Sequence, residues 1–98
     1  MRIEVHLSPV FQDRLAVPHL SLELEEREAS VTGLLRRLCE RFGGKIEALL
    51  FETGSGLVLP GLMVMVNDRV YTGTNVNAEG IELGDRDKVT LLYFLSGG

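Results

Sequence analysis

Only one stretch of this chain carries sustained helical periodicity. In SVTGLLRRLCERF, Val31, Leu34, Leu35, Leu38, Cys39 and Phe42 recur at three- and four-residue spacing, with Arg36, Arg37, Glu40 and Arg41 on the opposite side. Ser30 precedes the stripe as a helix N-cap, although Gly33 stands where a capping box needs Glu or Gln. Gly43 and Gly44 follow it and are expected to end the helix with a left-handed cap. A single amphipathic helix cannot form a core by itself, so the rest of the chain must supply its apolar partner.

That partner is a sheet. MRIEVHL alternates strictly, placing Ile3, Val5 and Leu7 on one face and Arg2, Glu4 and His6 on the other. HLSLELE repeats the pattern with Leu20, Leu22 and Leu24. The intervening SPVFQDRLAVPH, bounded by Pro9 and Pro18, is expected to be the wide loop of an antiparallel hairpin. LMVMV is apolar on both faces, ND after it signals a tight turn into RVY, and KVTLLYFL forms the last strand. KIEALLF suggests a short helical turn and ETGSGLVLPG a turn-rich arm, while 72–83 reads as irregular. The plan is α+β: one helix across one sheet, in one domain of residues 1–95 with a flexible tail at 96–98.

The totals exclude several functions. A net charge of −4 and a pI near 5.1 disfavour a polyanionic partner, so nucleic-acid binding is not expected. Glu23, Glu25, Glu26 and Glu28 read as a solvated acidic edge. No apolar run is long enough for a membrane span or an export signal, which makes the cytoplasm the default. Cys39, the one cysteine, rules out an internal disulfide, and its place in the helix stripe makes it a core thiol facing the sheet. His6 and His19 lack paired-ligand spacing, so no metal site is expected. Gly54–Gly56 lacks the Lys and Ser/Thr of a phosphate-binding loop, and Asp85 and Asp87 in GDRD read as solvated turn acids. With no Ser-His-Asp or Cys-His set, the chain is not expected to be an enzyme by itself.

The end of the sequence is more informative. Gly is 11 of 98 residues. A closing Gly-Gly is thus a roughly one-in-eighty event by composition. Two glycines remove every Cβ beside the terminal carboxylate, and three extended residues reach about 10 Å past the fold. Gly97 and Gly98 suit threading into another protein's narrow active site, with Gly98 as the reacting residue. Alternation also strands Met63, Met65, Leu92 and Phe94 on the sheet face that one helix leaves open, beside the exit of that tail. These four are the expected partner-binding residues. The arm at 45–61 is the segment that would cover them if it folded back.

SVTGLLRRLCERF, VMVNDRV, LGDRDKV and the closing SGG, in that order and spacing, resemble the ubiquitin-like sulfur carriers of the MoaD/ThiS type over nearly the whole chain. Departures are Asp68, where Gly is usual in the turn, and YFLS before the final glycines. The resemblance implies the ubiquitin-like β-grasp fold, a mixed sheet of four to five strands with one main helix on one face. It implies that a ubiquitin-activating-type enzyme adenylates Gly98 with ATP, that a sulfurtransferase converts it to a thiocarboxylate, and that this chain binds no cofactor itself. The length is closest to the molybdopterin synthase small subunit, which would make the large subunit, or another sulfur-acceptor enzyme, the recipient. Carriage for cysteine or thiamine biosynthesis, conjugation to proteins and plain non-covalent docking are the alternatives.

Overall fold

A computed structural model describes residues 1–93. It is built from β1 (Arg2–Leu7), α1 (Pro9–Leu15), β2 (His19–Glu23), a 3₁₀ turn (Glu26–Glu28), α2 (Val31–Phe42), α3 (Gly44–Leu50), β3 (Leu62–Val66), β4 (Arg69–Thr72), α4 (Gly73–Ala78) and β5 (Lys88–Tyr93). The strands make one five-stranded sheet in the order β2-β1-β5-β3-β4. β1 and β5 run parallel at its centre, and the other pairs are antiparallel. This is the β-grasp arrangement.

Alternation decides which residues face the helices. Ile3, Val5 and Leu7 of β1, Leu62, Val64 and Val66 of β3, and Val89 and Leu91 of β5 are all buried, as are Val31, Leu34, Leu35 and Leu38 of α2. At ~25 cal/mol per Å² of apolar surface removed from water, this two-layer contact is the main source of stability. Ser30 caps α2 as expected, its Oγ accepting from the Gly33 amide at 3.0 Å. Gly33 is required for another reason: a Cβ there would lie 2.2 Å from the Glu28 carbonyl oxygen.

Three local expectations are corrected. The connection between β1 and β2 is helical over Pro9–Leu15, and Phe11 and Leu15 on it are core residues. Proline is well tolerated at the first helical position, where its missing N–H costs no bond. Gly43 has φ +69 and ψ −148, so its φ is positive but it is not a left-handed cap, and Gly44 begins α3 directly. The stretch after β4 forms α4, closed at its start by a reciprocal Thr72–Asn75 capping box. Asn77 steadies it by donating to the Val58 carbonyl and accepting from the Val58 amide, both at 2.9 Å.

Candidate functional site

The helices lie on one side of the sheet, and no described segment covers the other. Its residues line up across all five strands. One row reads His19, His6, Thr90, Met65, Val70, each directly paired with the next. A second reads Leu92, Met63, Thr72, and a third Ser21, Glu4, Lys88. Met63, Met65 and Leu92 are half-buried on this face, each flanked in its own strand by core residues of the opposite face. Val70 is 49% exposed. The predicted apolar group is therefore brought together as far as Leu92. Phe94, the fourth member, and Gly97 and Gly98 lie outside the described residues.

Val70 was missed. Its signal was present: the two-residue Asn67–Asp68 turn pairs Val66 with Arg69, which forces Val70 opposite Met65. The arm at 45–61 does not fold over this face. Ile46 and Leu50 of α3 and Val58 beyond it are buried in the core on the helical side. Leu59 and Pro60 press against the start of α4, where a Cβ on Gly73 would lie 1.8 Å from the Leu59 carbonyl oxygen.

The turn before β5 fixes that strand's register. Asp87 accepts from the Gly84 amide at 2.7 Å and from Asn67 Nδ2 at 3.0 Å. Asn67 in turn accepts from the Lys88 amide at 3.0 Å and donates its own amide to the Lys88 carbonyl at 2.8 Å. Asp85 accepts from the Arg2 amide at 2.8 Å. The expectation of two merely solvated acids is corrected: both tie the β5 start to neighbouring strands. Asn67 adopts φ 54 and so supplies the positive-φ turn position, in place of a glycine at 68.

Cys39 is half-buried. It lines a cleft of about 690 Å³ between α2, α3 and the Gly54–Gly56 turn, so it sits at the rim of the core and not wholly within it. Burial, with the Glu47 carboxylate adding to it, pushes its thiol pKa above the ordinary value. Both effects disfavour the thiolate, and a nucleophilic role is poorly served. His6 and His19, read as unrelated in the sequence, stand directly opposite each other with ring centres 5.7 Å apart. Among the described residues, no group of three or more His, Cys, Asp or Glu is placed to hold a metal. No helix among them is long and apolar enough to cross a membrane.

No protein-family model matches the chain, and no curated protein matches it at significance. Solved structures do. SAMP1 of Haloferax volcanii, a small archaeal modifier protein, superposes with a TM-score of 0.81 at 17% identity, over 100% of both chains. A chain of the Amycolatopsis orientalis BexX/CysO complex gives 0.68 at 23% identity, over 98% of this chain and 99% of that one. A Pyrococcus furiosus protein assigned as molybdopterin converting factor, subunit 1, gives 0.70 at 22% identity, over 97% and 99%. The fold is the ubiquitin-like β-grasp that these small proteins share, as the sequence resemblance implied.

Proposed function

We propose that this chain is a sulfur carrier and that Gly98 is the residue activated. One observation carries the reading: β5, whose register is fixed on both sides by β1 and β3, is the strand from which the sequence passes within a few residues to Ser96-Gly97-Gly98. A tail anchored to a central strand loses less freedom on docking than one hung from a loop. The likeness to the CysO-containing complex and to the Pyrococcus protein supports the same reading.

A Gly98 carboxylate oxygen attacks the α-phosphorus of ATP in the activating enzyme, and pyrophosphate leaves. A persulfide sulfur of the sulfurtransferase then attacks the acyl carbon and displaces AMP. A second thiol cleaves the new S–S bond, leaving a thiocarboxylate on Gly98 and a disulfide on the donor. The thiocarboxylate sulfur is the nucleophile handed on, with the pterin precursor in molybdopterin synthase as the preferred acceptor. The chain contributes the acyl group and the docking face; catalysis belongs to its partners, and ATP is bound there. Met63, Met65, Leu92 and Phe94 would meet them, two methionines suiting a surface that serves more than one partner.

The likeness to SAMP1 supports a second reading, in which Gly98 is joined to lysines of other proteins. Intact-mass measurement of the protein from its native cells separates the two. The carrier reading expects the increment for one oxygen replaced by sulfur, absent when Gly98 is deleted. Gly98-dependent high-mass conjugates with no thiocarboxylate would replace it with the modifier reading.

A further inference from the structure

The row that crosses the open face begins with two imidazoles. His6 and His19 are direct partners in the β1–β2 ladder. Leu7 donates to the Pro18 carbonyl at 2.9 Å and Leu24 to the Met1 carbonyl at 2.8 Å. Hydrogen-bonded positions in this ladder are thus the odd-numbered residues of β1, and His6–His19 is a non-hydrogen-bonded pair. Such pairs have the shorter Cα separation, about 4.5 Å, and bring their side chains closest. The two rings are 5.7 Å apart between centres and tilted by 34°. Two imidazoles each bonded at about 2 Å to one tetrahedral zinc have centres roughly 5 Å apart, which is close to the spacing of these two rings.

Nothing in the sheet competes for these nitrogens among the described residues. Ser21 and Glu4, the next pair along, engage each other, the Ser21 hydroxyl donating to Glu4 Oε1 at 2.9 Å. Glu4 places a carboxylate on the same face as His6, with Lys88 beside it in β5 opposing that charge.

We propose that His6 and His19 form a cross-strand bidentate site for a divalent first-row transition cation. Imidazole suits Zn²⁺, Ni²⁺ and Cu²⁺. With no third protein ligand at hand among the described residues, the remaining coordination positions are left to water or to a donor group from whatever docks on this face. The inference does not rest on sulfur carriage.

The test is titration of Zn²⁺ into untagged full-length protein by calorimetry, with the histidine ring signals followed by NMR. One zinc per chain is expected, with both ring systems shifting together. Loss of outer-sphere partners alone lowers metal affinity about 10–100-fold, so removing one of only two direct ligands should cost at least that much. His6→Gln and His19→Gln should each do so with circular dichroism unchanged, because both side chains lie on the solvated face. Absence of binding to the wild-type protein, or retention of wild-type affinity in either folded histidine variant, overturns the proposal. Loss of zinc from Cys39→Ser with both histidines intact also overturns it, since the ion would then sit elsewhere.

Discussion

Replacing a helical glycine by alanine ordinarily stabilises a protein, by about 0.8–1 kcal/mol of helix propensity. Gly33 lies inside α2 and invites that substitution, yet it should do the reverse. The Glu28 carbonyl oxygen would be 2.2 Å from the new Cβ, its carbon 2.9 Å and its Cα 3.2 Å away. All three are backbone atoms, so no flexible side chain can swing aside. Bringing the oxygen out to contact distance requires a shift of about 1 Å. That oxygen also accepts from the Ser30 amide at 2.7 Å. Ser30 is the residue capping α2, so the displacement is passed to the cap.

Losing the Ser30–Glu28 bond costs about 1 kcal/mol, and forcing a methyl into a packed contact costs about 1–3 more. Subtracting the propensity gain leaves Gly33→Ala about 1–3 kcal/mol less stable. For a domain of this size that is roughly 8–16 °C in Tm at the 2 kcal/mol midpoint. Gly44→Ala is the control. It opens α3, has nothing within 4 Å of its Cβ position and no positive φ, so it should gain a few tenths to about 1 kcal/mol. Urea unfolding with m-values compared across the three proteins measures both. A Gly33→Ala protein as stable as its parent would refute the close approach on which the reasoning depends.

Phe11→Ala should cost about 3–5 kcal/mol in the same assay, because Phe11 is fully buried and stacks on Tyr93 at 5.5 Å; a loop residue would cost far less. Burial raises the Tyr93 phenol above its ordinary pKa, so the folded state holds that proton after the unfolded chain has lost it. Its contribution to stability is therefore complete below the ordinary tyrosine range near pH 10 and declines above it; Tyr93→Phe should flatten that alkaline decline in thermal melts. Met65→Asp with Leu92→Asp should leave circular dichroism native and abolish binding to an activating enzyme, whereas Val64→Asp should unfold the domain. Deleting Gly98 should leave stability within about 0.5 kcal/mol of the parent while ending acceptance of sulfur, as checked by intact mass.

Strands and the main helix were legible because period-two and 3.6-residue patterns survive in short windows. β1, β2, β3, β5 and α2 fall where alternation and the Val31–Phe42 stripe put them. α1 was not, because seven residues make barely two turns and Pro9 and Pro18 look like loop punctuation. Only the Phe11–Leu15 spacing hinted at a buried face. α4 is opaque for a different reason: Gly-Thr-Asn-Val-Asn-Ala has poor helix propensity, and its helix is held by the Thr72–Asn75 cap and the Asn77–Val58 bonds. The His6–His19 pairing depended on the register of a hairpin whose loop contained an unrecognised helix, so spacing along the chain could not show it. The Met63–Met65–Leu92 group needed only alternation, and alternation found it.

α1, unexpected as it was, bears on why that group stays open. A β-grasp with one helix would leave both ends of the covered face thinly packed. Here Phe11 and Leu15 from α1, Ile46 and Leu50 from α3 and Val76 from α4 all join α2 on the same side. The buried apolar residues of these connections are thus committed to one layer. The opposite face receives only what the strands themselves carry, which is methionine, leucine and valine toward β3–β4, and histidine, serine and glutamate toward β1–β2. An apolar half-face with no segment of residues 1–93 assigned to cover it is retained at some cost in solubility. On the sulfur-carrier proposal it is the partners that meet this face, and β5, which carries Leu92 on it, is also the strand that leads to the sequence's Gly-Gly.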